Sequence, residues 1–460
     1  MEHSVYSQIP KMDRLLALPA VQEAAKTLPR QLVRQAAEQV LSDVREALRQ
    51  GAPLPSQEEL QERVLLAIRK AAAWRLRPVV NATGVVLHTN LGRAPLGAEL
   101  ADHVARTAGG YSTLEYDLES GGRGSRYALV EQQLCRITGA EAAMVVNNNA
   151  AAVFLMLHAL CAGRGVAVSR GELVEIGGAF RVPEIMAASG ASLLEVGTTN
   201  KTRLSDYRAA LDRSDTAALL KVHTSNFKIV GFSEEASLEE LAELAKERGL
   251  PLLYDLGAGF LIRPEALGLH EGVYVPDAVR YADVCCFSGD KLFGGAQAGI
   301  VLGRKEFIDR MKRDQLARML RVDKMTLAAT EAVLQCYEDP MWAKDRLPVL
   351  QMLACPEKLL REKAETMASQ WQAACPKLQL QAVSCTDEPG GGSLPGLELP
   401  GWAVAVSGAS PDSMEKTLRS LDTPVIARIF KNRLLLSVRT LLPEDGPALL
   451  EAMKALEAML

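Results

Sequence analysis

In the first part of the chain, apolar residues recur at helical spacing. Val33, Ala36, Ala37, Val40, Leu41, Val44 and Leu48 fall three or four apart, so they share one face of a helix running through residues 28–48. Gly51, Pro53 and Pro55 stop that helix, and Ser56 is placed to cap the next one. From about residue 79 the pattern changes. Short apolar runs at 143–146, 165–168, 217–222, 250–254, 282–287 and 299–302 alternate with helical stretches. Strands that are apolar throughout and separated by helices predict an α/β fold with a mostly parallel sheet covered on both faces. Beyond residue 335, helical patterns over 347–375 lead into a turn-rich stretch at 385–396. Strand candidates follow at 402–406, 425–429 and 433–438, then a last helix. Three regions result: a helical region 1–72, an α/β region 73–335 and a small α+β region 336–460.

Composition narrows the function classes. Of 460 residues, 48% are hydrophobic and 23% charged, a globular mixture that excludes a disordered chain. The net charge of −4 excludes a strongly basic nucleic-acid coat. Residues 1–78 nevertheless carry twelve Lys/Arg against nine Asp/Glu, so the excess positive charge lies at the N-terminal end. Arg30 and Arg34, and Arg45 and Arg49, are spaced to share a helix face; this pattern suits either a solvated surface or a contact to a phosphate backbone. None of the eight cysteines forms a Cys-x-x-Cys pair, so neither a zinc site nor a disulfide framework is expected. No signal-peptide stretch and no apolar run of membrane-spanning length is visible, and a reduced, cytoplasmic protein is expected.

Three segments of the α/β region carry candidate chemistry. In Phe287-Ser-Gly-Asp-Lys-Leu-Phe-Gly-Gly295, Lys291 follows a strand end and is flanked by glycines that let a planar ligand approach; such a lysine suits Schiff-base chemistry. In Leu252-Leu-Tyr-Asp-Leu-Gly257, Asp255 sits near a strand end, where a carboxylate can keep a pyridinium nitrogen protonated. In Val145-Val-Asn-Asn-Asn-Ala150, a strand runs through a polar turn into a helix whose first amides suit a phosphate. Each segment alone also fits ordinary capping or an ordinary loop. Their succession along one α/β region serves the separate needs of a single cofactor.

These segments resemble the bacterial L-seryl-tRNA(Sec) selenium transferases, the selenocysteine synthases. The resemblance also covers Asn81 to Leu96, Tyr111 to Arg126, Ser169 to Pro183, Val196 to Asn200, Arg318 to Leu327, Gly390 to Pro395 and Arg439 to Leu441, and so spans essentially the whole chain. It implies a fold-type-I pyridoxal 5'-phosphate enzyme. In it Lys291 would bind the cofactor covalently, Asp255 would pair with the ring nitrogen, and Asn148, Asn149 and Ser288 would hold the phosphate. His223 would face the cofactor, and Asp290 would tune the protonation of Lys291. Arg93, Arg318 and Arg321 would bind selenophosphate, which suits the planar, permanently charged guanidinium. The last two would share a face if their stretch is helical. The implied reaction removes water from L-seryl-tRNA(Sec), leaving an aminoacrylyl-tRNA to which selenium adds. The helical N-terminal region would bind the tRNA, and the enzyme would be a homo-oligomer built from dimers, a decamer among the possible rings. Two other readings fit part of the pattern. One is a pyridoxal phosphate lyase of a small amino acid or amino sugar acid. The other is a non-catalytic tRNA-binding protein with a vestigial cofactor domain.

Overall fold

A computed structural model describes residues 9–177, 180–212 and 215–460. The first eight residues of the expected helical region, and Gly178-Ala179 of the Ser169–Pro183 motif, lie outside the described residues. The chain divides into two compact units, 1–78 and 79–460.

The first unit is helical. Helices Met12–Leu16, Pro19–Ala25, Arg30–Arg49 and Gln57–Ala72 bury one shared core. The apolar stripe predicted on the third helix is its buried face, from Val33 to Val44, and it meets Leu60, Val64 and Ile68 of the fourth. Ser56 caps that fourth helix reciprocally: its Oγ accepts from the Glu59 amide at 3.1 Å, and the Glu59 carboxylate accepts from the Ser56 amide at 2.8 Å.

The second unit is built on a seven-stranded sheet. In chain order its strands are β1 (Ala142–Val146), β2 (Gly165–Ser169), β3 (Ser192–Val196), β4 (Thr216–Val222), β5 (Leu252–Gly257), β6 (Val284–Ser288) and β7 (Gly299–Gly303). Their spatial order is β1-β7-β6-β5-β4-β2-β3, and only β7 runs antiparallel to its neighbours. The mostly parallel sheet predicted from the apolar runs is therefore present. Alternate residues feed two cores, because successive side chains on a strand point to opposite faces. Val145, Cys285, Phe287 and Ile300 enter one core; Met144, Val146, Cys286 and Val301 enter the other, against helix Asn149–Cys161.

A smaller antiparallel sheet joins strands Gln379–Asp387, Leu399–Ser407, Arg433–Ser437 and Arg428–Phe430, in that order. Its core includes Val80 and Ala82, because the short strand Val80–Asn81 pairs in parallel with Val425–Ile426. The chain thus enters the second unit through the core it completes last. Among the described residues no helix is long and apolar enough to cross a membrane.

Candidate active site

The parallel strands end at one edge of the large sheet, and β1, β4, β5 and β6 deliver the candidate residues there. Asn148 follows β1, His223 follows β4, Asp255 lies in β5, Ser288 closes β6 and Lys291 comes three residues later. All five line one cavity of about 300 Å³, together with Arg93, Asn149, Asp290, Phe180 and Gln297.

Asn148 has extended backbone and caps helix Asn149–Cys161, its Oδ1 accepting from the Ala151 amide at 2.8 Å. With that cap made, the amides of Asn149 and Ala150 begin the helix at the cavity wall, where the positive end of its dipole suits an anion. Gly299 of β7 makes this turn possible: a Cβ there would lie 2.2 Å from the Asn148 carbonyl oxygen. The Asn149 side chain goes elsewhere, its Nδ2 donating to Asp255 Oδ1 at 2.8 Å.

Asp255 is almost fully buried. Burial pushes its carboxyl above the usual range, opposed by the Asn149 hydrogen bond and the positive charge of Lys291. The His223 amide donates to the Asp255 carbonyl at 2.8 Å, which fixes the start of the 223 turn. Burial, followed by Lys221, depresses the His223 imidazole, which favours the neutral ring.

Lys291 is also buried, with Nζ donating to the Gly392 carbonyl at 2.7 Å. Burial pulls the Lys291 amine below its ordinary value and Arg93 adds to this, against the pull of Asp255 and Asp290. Arg93 Nη1 donates to Asp290 Oδ2 at 2.6 Å. The Arg93 backbone is left-handed (φ 60°), a conformation costly for a residue with a side chain and often found at functional sites.

The structure does not bring the three candidate arginines together within one chain. Arg93 borders the Lys291 cavity. Arg318 and Arg321 line a separate cavity of about 400 Å³ with Arg123, Arg126, Lys312 and Glu115, and among the described residues the two cavities share no lining residue. Nor do Arg318 and Arg321 share a helix face. The helix ends at Met319, and Arg321 bridges Val146 instead, while the Asn147 amide donates to the Leu320 carbonyl at 2.9 Å. Backbone pairing to the end of β1 has replaced the last helical turn.

Sequence reasoning missed Gly392, Gln297 and Phe180. Gly392 lies a hundred residues beyond Lys291 in a turn-rich stretch, and its contribution is a main-chain carbonyl, which no side-chain pattern signals. The residues present suit pyridoxal phosphate. A buried primary amine, a buried carboxylate and a helix N-terminus converge on one cavity, and two buried polar atoms, Asn149 Oδ1 and Arg93 Nε, have no hydrogen-bond partner among the described residues.

Comparison with known proteins gives the family. Residues 79–442 match the family described as L-seryl-tRNA selenium transferase, and residues 6–45 match the selenocysteine synthase N-terminal family. The L-seryl-tRNA(Sec) selenium transferase of Geobacter sulfurreducens is 46% identical, covering 98% of this chain and 99% of its own. That of Moorella thermoacetica is 45% identical, covering 98% and 97%. Among solved structures, a D-glucosaminate-6-phosphate ammonia-lyase shares the fold, with a TM-score of 0.56 and 20% identity over 84% of this chain and 96% of its own. With cavity, sheet edge and full-length similarity in agreement, the chain belongs to the L-seryl-tRNA selenium transferase family.

Proposed function

We propose that this chain converts L-seryl-tRNA(Sec) to L-selenocysteinyl-tRNA(Sec), with selenophosphate as selenium donor and pyridoxal 5'-phosphate as cofactor, in the cytoplasm. The observation that carries this reading is the convergence of buried Lys291 and buried Asp255 on one cavity that also receives the start of helix Asn149–Cys161. When bound, the cofactor supplies an electron sink that acidifies the serine α-proton and lets the β-hydroxyl leave as water.

Each residue has a task that follows from its surroundings. The Asn149 and Ala150 amides and the Ser288 hydroxyl hold the cofactor phosphate. Asp255, steadied by Asn149, keeps a proton on the ring nitrogen. The His223 ring, which lines the same cavity, would face the cofactor, its lowered basicity favouring the uncharged form. Lys291 holds the cofactor and then moves the α-proton at Nζ; its depressed basicity favours the free amine that both tasks need. Asp290 fixes Arg93 at the cavity wall. Arg93, Arg318 and Arg321 bind the phosphate oxygens of selenophosphate. Because the latter two line a different cavity of the same chain, this assignment calls for a second subunit or a rearrangement, in keeping with an oligomer built from dimers. Net, the serine hydroxyl leaves as water, selenium bonds to the β-carbon, and water cleaves the phosphorus–selenium bond.

The helical unit 1–78 contributes the tRNA contact. Arg34 and Arg49 are engaged by Glu38 and Glu46 of their own helix, exposed pairs that a phosphate can displace at small cost. The decisive experiment compares turnover of serine-charged tRNA(Sec) plus selenophosphate with turnover of free serine. Selenocysteinyl-tRNA from the first alone supports the proposal. Consumption of a free amino acid or amino sugar acid in its place would make the chain a lyase.

A further inference from the structure

We propose that the Gly390-Gly391-Gly392-Ser393 strap is a resting place for the Lys291 amine, its Gly392 carbonyl holding Nζ whenever that nitrogen is not bonded to the cofactor. This rests on the reading of Lys291 as the cofactor-binding lysine. The contact is 2.7 Å, between a buried amine and a main-chain oxygen from the region that carries the smaller sheet.

The strap has little freedom. Ser393 is buried, and its Oγ donates to the Gly390 carbonyl at 2.9 Å. Upstream, the Val86 and Leu87 amides donate to the Glu388 and Pro389 carbonyls at 3.0 and 2.8 Å. Gly390 lies against the Leu87 carbonyl, 2.5 Å from where a Cβ would be. Just before it, Asp387 is fully buried, with Arg439 Nε at 3.1 Å and Ser437 Oγ at 2.9 Å. The segment that clamps the strap runs on to Arg93, which holds Asp290, the neighbour of Lys291. Two contacts from one clamped assembly thus bracket the lysine, one at its Nζ and one beside its backbone.

The chemistry needs such a place. When a primary amine displaces Lys291, the amine forms the carbon–nitrogen double bond that Lys291 gives up, and its two protons pass to Nζ. A flexible four-carbon amine released into a cavity would return at once or wander. The Gly392 carbonyl offers Nζ one acceptor at 2.7 Å, which would keep the freed amine at the cavity. Gly392 is therefore a positioning residue.

Glycine geometry supplies a matched pair of variants. Gly392 has φ +74° and a Cβ there would lie 3.0 Å from Nζ; Gly396 has φ +75° and open space around its Cβ. Alanine strains the backbone comparably at both, but only at Gly392 does the new Cβ crowd Nζ at its acceptor. The test loads each full-length protein with pyridoxal 5'-phosphate, titrates with methylamine, reduces with borohydride, and reads by peptide mass the fraction of Lys291 that carries the pyridoxyl group. With its resting place crowded, Gly392→Ala should need severalfold more methylamine for half displacement, up to about tenfold, as fits weakening or loss of one hydrogen bond. Gly396→Ala should match the wild type. Equal midpoints in all three proteins, or equal shifts in both variants, would overturn the proposal. If wild-type Lys291 never carries the group, the cofactor reading itself fails.

Discussion

Single side chains decide the chemistry of this cavity. Asn149, expected to help hold a phosphate, spends its side chain on Asp255 and leaves only its amide for that task. Replacing Lys291 with Ala should abolish the visible band of the loaded protein and all turnover, because among the described residues no other lysine lines the cavity. Lys291 also sets a pH dependence in the cofactor-free protein. Its amine is depressed by burial and by Arg93, so it is less basic folded than unfolded. Below the folded value both states are protonated and the full cost of burying the ammonium is felt. As pH rises from there towards 10.5, the folded state gives up its proton first and the cost lifts. Wild-type stability relative to Lys291→Met should therefore increase with pH across that window, by about 1.4 kcal/mol for each unit of depression. Urea unfolding of both proteins at several pH values checks this; a flat difference would mean Lys291 is not depressed. For the donor, Arg93→Ala, Arg318→Ala and Arg321→Ala should each raise KM for selenophosphate tenfold or more, since a hydrogen bond to a charged group is worth about 1.5–3 kcal/mol. The cofactor band should stay. Unchanged donor saturation in all three would make these arginines structural.

At the scale of elements, the central strands were legible because burial on both faces makes them apolar throughout. The edge strand β3 was not: Ser192 and Glu195 are exposed and break the run. Strand Gln379–Asp387 alternates instead, with Leu380 and Ala382 packing on one core and Val383 and Cys385 on another. Its polar half merged with the glycine-rich turn after it, so the sequence suggested only a turn. Lysine, aspartate and helix start were visible as motifs because each sits at a strand end. The Gly392 contact and the Arg321 bridge were not, because both are made by main chain between distant segments. The hub of the smaller sheet is equally non-local. Arg439 joins buried Asp387 to the Met352 and Pro400 carbonyls at 2.6 and 2.5 Å. Arg439→Met should cost about 3–5 kcal/mol, because it strands a buried carboxylate that Arg428 reaches only at 3.5 Å. A thermal melt within a degree or two of wild type would refute this.

For the molecule as a whole, the boundary at Pro78 separates two compact units, the first of which has a hydrophobic core of its own. A chain beginning at Val79 should fold and bind cofactor, but bind tRNA(Sec) far more weakly than the full chain, whose binding should fall steeply with salt. Anisotropy titrations of both proteins decide this; equal affinities would move the tRNA contact out of the helical unit. Removing ten more residues should be far more damaging, because Val80 and Ala82 belong to the core of the smaller sheet. The pairing of Val80–Asn81 with Val425–Ile426 also has a consequence in time. A ribosome makes the first strand of that pair and then about 345 more residues before its partner emerges, on the order of 20–70 s at ordinary speeds. The large sheet is synthesised in full during that wait, whereas Gly392 and the residues that fix it arrive near the end. A nascent chain therefore holds every residue that lines the Lys291 cavity, from Arg93 to Gln297, well before it holds the Gly392 carbonyl that receives Nζ.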